Sequence, residues 1–202
     1  MILNSLYLAP IEYYSVLFGA ERAVIEIHDN YQKQSYRNRC HIVGANGLVS
    51  LSIPIEKPST AKCKMKDIRI SEHGNWRHIH WNAIISAYNS SPYFEYYEDD
   101  FRPFYEKKPV FLHDFNEELR QLICRLIGIE TLVSYSETYL QPSSDNATDF
   151  REIIHPKKTP IAETPVYYQV FAEKNGFIPN LSIIDLLFNK GNESRLALMK
   201  EK

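Results

Sequence analysis

The sequence predicts an α/β protein: one compact domain over residues 1–202, with a mixed β-sheet flanked by helices. Three observations lead there. The chain opens with a strand–helix–strand unit, a glycine-punctuated hairpin follows, and stretches of helical period then alternate with a further strand-like run. A chain of this length can bury roughly 70% of its unfolded surface around a single core.

In chain order, Asn4–Leu8 reads as a short strand, Pro10 fits the first turn of a helix reaching Gly19, and Ala23–Ile27 reads as the second strand. Tyr36–Val43 and Leu48–Ile53 are extended runs joined by Gly44-Ala-Asn-Gly47, where glycine and asparagine accept the positive φ of a tight hairpin turn. Residues 56–66 are polar and lysine-rich and read as loop, ahead of a short strand at Asp67–Ile70. Asn75 is placed to cap a helix running to Tyr88, because Trp76, Ile79, His80, Ala83, Ile84, Ala87 and Tyr88 recur at one-face spacing. A second helix is expected over Tyr93–Tyr105. A third spans Asp114–Leu126, opened by the capping-box spacing Asp114-x-x-Glu117 and closed by Gly128, and Ile129–Tyr135 has the composition of a strand.

From Gln141 to Pro165 the chain resists regular structure: Pro142, Pro156, Pro160 and Pro165 break it, as do the Ser143-Ser-Asp-Asn146 cluster and His155-Pro-Lys-Lys158. A loop of that length inside one domain is either a functional lid or unstructured. The last helix lies within Gly176–Gly191, with Ser182-x-x-Asp185 at capping-box spacing and Gly191 at its end.

Composition excludes several classes. With 23 basic against 25 acidic side chains there is no positive field for a polynucleotide backbone, so no nucleic-acid partner is expected. No apolar run reaches the roughly 18 residues of a membrane helix, and no basic segment leads into an apolar one at the start, so the cytoplasm is expected. Cys40, Cys63 and Cys124 are too scattered for a disulfide framework or a structural zinc site; Cys63, among lysines, is the one thiol placed to ionise, the plainer reading being an exposed loop cysteine without a task. His78 and His80, two apart on a helix, point away from each other and cannot share an ion with His73. Nucleotide-binding glycine loops and hydrolase elbows are absent, and neither a metal nor a cofactor is expected.

The richest stretch is Tyr31-Gln-Lys-Gln-Ser-Tyr-Arg-Asn-Arg-Cys-His-Ile42. Read as a strand from Tyr36, it sends Arg37, Arg39 and His41 to one face, with the two guanidinium groups about 7 Å apart, a fork able to straddle a diphosphate. The plainer reading is a solvated strand face. Asn180, Ser182 and Asp185 either cap the last helix or line an anion- or hydroxyl-binding pocket at its start.

The order Tyr31-Gln-Lys-x-x-Tyr-Arg-Asn-Arg39, Leu51-Ser-Ile-Pro54, Trp76-x-x-x-His80, Ala87-Tyr88, Ser91-Pro-Tyr-Phe94, Gln169 and Phe177-Ile-Pro-Asn-Leu-Ser-x-x-Asp-Leu-Leu-Phe-Asn189 resembles the bacterial WbqC-like family from Leu3 to about Leu198. That resemblance implies a role in surface-polysaccharide and O-antigen synthesis, as an acyl or aminoacyl (glycine) transferase acting on a nucleotide-linked amino sugar. On this reading His80 is the base that takes the amine proton, the plainer alternative being a satisfied core histidine on an apolar helix face, and Lys33, Arg37 and Arg39 hold the phosphates. Asn38 donates to a carbonyl oxygen, Tyr31, Tyr13 or Trp76 stacks on base or sugar, and Asn180 and Asp185 belong to the binding pocket. The alternative is a non-catalytic protein that binds the nucleotide sugar or assembles with a pathway enzyme or a second copy of itself.

Overall fold

The computed structural model describes residues 1–57, 62–142, 148–161 and 163–199. The chain opens with β1 (Ile2–Asn4), α1 (Ile11–Phe18) and β2 (Arg22–Glu26), then the hairpin β3 (Arg39–Gly44) and β4 (Gly47–Ser52). Three helices follow, α2 (Trp76–Tyr88), α3 (Phe94–Glu106) and α4 (Leu112–Ile127), before β5 (Leu132–Tyr135). The remainder holds α5 (Ala172–Asn175), α6 (Ile183–Lys190) and α7 (Ser194–Leu198).

The α/β class and both strand orientations are as expected, divided between two sheets. β1, β2 and β5 pair in parallel in that order, and β3 and β4 form a separate antiparallel pair. Registers Asn4↔Glu26 and Ile25↔Tyr135 align the carboxyl ends of the three parallel strands. Below them the core is strongly aromatic: Tyr88, Phe94, Tyr97 and Phe101 pack around Phe188 of α6. α6 ends at Gly191, whose φ of 56° and close approach to the Tyr93 ring, 2.8 Å from a would-be Cβ, admit only glycine without displacement.

Several elements shift from their expected places for identifiable reasons. β1 stops at Asn4, and the chain then turns at residues 7 and 8, with Leu8 at a φ of 40°, a strained value for leucine, before Pro10 leads into α1. Asp67–Ile70 is not a strand; a 3₁₀ turn at Met65–Asp67 precedes isolated bridges of Arg69 to Phe111 and Ile70 to Ile55. α4 starts at Leu112, and Glu117, expected in a capping box, instead faces inward and accepts from Arg120 Nε at 2.6 Å. Ser182 likewise makes no cap: its hydroxyl donates to the Leu8 carbonyl at 2.7 Å and pins that strained turn. On α2 the buried face is rotated from the expected stripe, so that Ile79 is 56% exposed and Trp81 enters the core.

Of the expected 141–165 loop, Ser143–Asn146 lies outside the described residues. Residues 148–161 form a strap along the outer edge of β1: Ile2 N–H donates to the Thr148 carbonyl at 2.7 Å, and Phe150 N–H to the Ile2 carbonyl at 3.0 Å. No helix among the described residues is long and apolar enough to cross a membrane.

Candidate functional site

Parallel sheets gather their functional loops at the carboxyl ends of the strands. Here Asn4 and Glu26 stand side by side at that edge. Glu26 is buried, and its carboxylate accepts from the backbone N–H groups of His28 and Leu140 and from the Ser136 hydroxyl, at 2.6 to 2.8 Å. Arg151 of the strap lies 3.7 Å from it, pairs with Asp149 at 2.6 Å and donates to the Leu140 carbonyl, while its own carbonyl accepts from Asn4 Nδ2. The strap is therefore fastened to the edge by both charge and backbone.

Arg37 corrects the expected fork. The chain turns at residues 36 and 37, so strand alternation begins only at Arg39, and the Arg37 side chain runs inward to 1% exposure. Its Nη2 donates to Asp29 at 2.7 Å and to Asn4 Oδ1 at 3.1 Å, and its Nη1 to Gln32 Oε1 at 3.1 Å. Burial disfavours its charge and Asp29 offsets that penalty. Arg39 and His41 remain on the open face of β3 as read, with Arg39 Nε bonded to the Ser52 hydroxyl at 3.0 Å.

Around Arg37 the strap crosses the 31–37 turn. Gln32 Nε2 donates to Glu152 at 2.8 Å and Lys157 Nζ to Gln34 Oε1 at 2.9 Å, which brings the His155-Pro-Lys-Lys158 motif to Gln34, the residue after Lys33, and within electrostatic reach of Arg37. Tyr31 is half-buried at the same place, its hydroxyl pKa raised by burial and drawn down by Arg37 and Arg39. Asn38 is turned to the hairpin, donating to the Ile53 carbonyl at 2.7 Å.

Asn180 and Asp185 form a second centre that the strap reaches further on. Asn180, with a φ of 52°, accepts from Glu12 N–H and donates to Glu12 Oε1, both at 2.9 Å; Ile161 N–H donates to the other Glu12 oxygen. Asp185 is fully buried and accepts from Tyr167 and Gln169 through one oxygen. Burial pushes its carboxyl up to about 6, against the opposing pull of Tyr167, Tyr88 and Gln169. Tyr167 and Thr164 open on a groove of about 840 Å³ that Val166, Leu196 and Met199 also line.

His80 and Trp76 lie elsewhere, inside the core beneath the hairpin. His80 is 3% exposed; Tyr7 stacks on its ring, Trp76 packs edge-on, and Nδ1 shares a hydrogen bond with the Tyr7 hydroxyl at 3.0 Å. Burial lowers its pKa to about 4, so it is neutral at pH 7, partly offset by a hydrogen bond to the Ser52 backbone. Trp76, 4% exposed, and Tyr13, 1% exposed, have no free face on which a base could stack. Cys63 is likewise no activated thiol, because burial and Asp67 raise its pKa rather than the lysines lowering it.

The WbqC-like protein family matches residues 5–157 and 154–196, nearly the whole chain. The chain belongs to that family. It is also 26% identical over 220 residues to the uncharacterized protein Rv1507c of Mycobacterium tuberculosis (strain ATCC 25618 / H37Rv), an alignment covering 96% of this chain and 94% of that one. No solved structure matches.

For a WbqC-like chain read by motif, the residues that escaped notice are Asn4, Glu12, Glu152, Arg151 and Tyr167, which with Asp29 organise both centres. Their ties span up to 168 positions, as between Glu12 and Asn180, and no local pattern marks them. One signal was present: a buried arginine needs a carboxylate, and Asp29 was the nearest acid on its N-terminal side.

Proposed function

We propose that this WbqC-like protein binds a nucleotide-linked amino sugar where the strap crosses the 31–39 segment, and transfers an acyl or aminoacyl group, glycine included, to the sugar amine in bacterial surface-polysaccharide synthesis. The observation that supports the reading is the meeting of two segments near the carboxyl edge of the parallel sheet, the 31–37 turn with Tyr31, Lys33 and the buried Arg37, and the strap with His155 and Lys157, in a chain whose formal charge is −2. Ammonium and guanidinium groups suit phosphate oxygens, and an aromatic face suits a base or sugar ring. Such a substrate places the reaction in the cytoplasm.

Transfer to an amine also requires proton removal and donors for the developing oxyanion. His80 keeps the neutral form a base needs, yet its ring is enclosed by Tyr7 and Trp76, so a proton would reach it only through the Tyr7 hydroxyl. That enclosure favours a second reading, a non-catalytic protein that recognises the same nucleotide sugar and hands it to a pathway enzyme. Thermal-shift titration with nucleotides and nucleotide sugars, followed by product analysis with acyl and aminoacyl donors, separates the two. Stabilisation with product formation supports the transferase, and stabilisation without product supports the carrier. No stabilisation by any nucleotide sugar removes both.

A further inference from the structure

Lys157 and Lys158 differ from the other cations at the crossing. Arg37 is neutralised by Asp29, at 2.7 Å. The carboxylate of Glu152 accepts from the neutral Gln32 amide and keeps its negative charge, which acts on Arg37 and His155. The two ammonium groups, by contrast, are held by neutral acceptors, Lys157 by Gln34 Oε1 and Lys158 by the Glu152 backbone carbonyl. A neutral acceptor fixes an ammonium group in place without cancelling its charge, and each group has further N–H donors to give.

The turn that carries them is itself built. Lys158 N–H donates to the His155 carbonyl at 3.0 Å and Lys157 N–H to His155 Nδ1 at 3.1 Å, while Pro156 restricts the backbone between them. Arg151 and Asp149 anchor the strap a few residues upstream, so the turn is held against the protein and not left to trail in solvent. Both lysine side chains are exposed, as is Lys33 on the facing turn. Two fixed ammonium groups with no carboxylate bonded to either, facing the 31–37 turn, are the chemistry that receives a phosphate group.

We propose that the His155–Lys158 turn is the diphosphate-binding half of the nucleotide site, with the Lys157 and Lys158 ammonium groups on the phosphate oxygens and Arg37 supporting the facing turn from beneath. This rests on the nucleotide-sugar reading above and reassigns its phosphate contacts from the β3 arginines to the strap.

The test is calorimetric titration of the full chain with uridine diphosphate and with inorganic pyrophosphate, in the wild type, in the Lys157→Ala/Lys158→Ala double variant and in the Lys157→Arg/Lys158→Arg double variant. Loss of two charged hydrogen-bond donors should weaken both probes by roughly tenfold to a hundredfold or more, with an unchanged melting temperature, and the arginine pair should restore most of the affinity. Rising salt should weaken the wild type and leave the alanine variant nearly unaffected. Equal affinity in the wild type and the alanine variant overturns this assignment and leaves the nucleotide-sugar reading standing. Failure of the wild type to bind either probe or any nucleotide sugar overturns both.

Discussion

Arg37 and His80 are both polar residues of the interior, 1% and 3% exposed, and the molecule treats them in opposite ways. Arg37 keeps its charge because Asp29, Asn4 and Gln32 were drawn in with it, and its neighbours Tyr31 and Lys33 reach the surface. His80 gives up its charge, since no carboxylate accompanies it and burial among aromatic rings outweighs the Ser52 backbone bond that favours an imidazolium. A buried ion pair at the rim of a sheet can organise a surface for a charged ligand. A neutral imidazole walled by aromatic rings organises packing.

The sharpest way to break that contrast is to remove Arg37. Arg37→Ala strands Asp29, whose side chain is only 15% exposed, and leaves Asn4 and Gln32 without their donor. Breaking a buried pair from one side costs about 3–5 kcal/mol, so urea unfolding followed by circular dichroism should show a loss of that size, with faster amide exchange across the 148–161 strap. A loss below about 1 kcal/mol would mean that Arg37 is not the organiser of this edge.

His80 and Asp185 provide the next test, through pH. The folded pKa of His80, about 4, lies below its ordinary 6.5, so the fold favours the neutral ring. That contribution is fully present above pH 6.5 and is lost as the pH falls toward 4; it is at most about 3 kcal/mol. Asp185 runs the other way: its folded pKa of about 6 lies above the ordinary 3.8, so its contribution is present below 3.8 and is lost as the pH rises through 6. The two slopes oppose each other over nearly the same window and largely cancel in the wild type. His80→Gln should therefore become less stable from pH 4 to 6, and Asp185→Asn more stable from pH 4 to 6.5, each by up to about 3 kcal/mol in denaturant titrations. Parallel curves for wild type and both variants would show that neither group is held away from its solution behaviour.

The same contrast explains what could be read from sequence. The span of α2 was legible because helical period is local, although its buried face is rotated and Asn75, in a left-handed conformation, makes no side-chain cap; Gly191 was legible because a helix must stop somewhere in that stretch. The hairpin was legible from its turn. Arg37 was not, because alternation assumes that a strand is already under way, and the strand begins two residues later, at Arg39. Asp114-x-x-Glu117 and Ser182-x-x-Asp185 had the spacing of capping boxes, but tertiary partners claimed the side chains: Arg120 took Glu117, and Tyr167 and Gln169 took Asp185. The strap was the least legible element, since its order comes from Ile2, Asn4 and Glu26, more than a hundred residues earlier.

The smallest expected effect on the fold is also the most discriminating for binding. Arg39 is only partly buried and its guanidinium has a hydroxyl partner, Ser52, so Arg39→Ala should change stability by no more than about 0.5 kcal/mol. Because the fold is then intact, any change in affinity for pyrophosphate reports on ligand contact alone, which Arg37→Ala cannot do. If phosphate is carried by the strap lysines, Arg39→Ala should lose less than about threefold in affinity, as expected for a partly screened charge nearby. A loss matching that of the lysine double variant would return Arg39 to the phosphate and make β3, not the strap, the charged wall of the site.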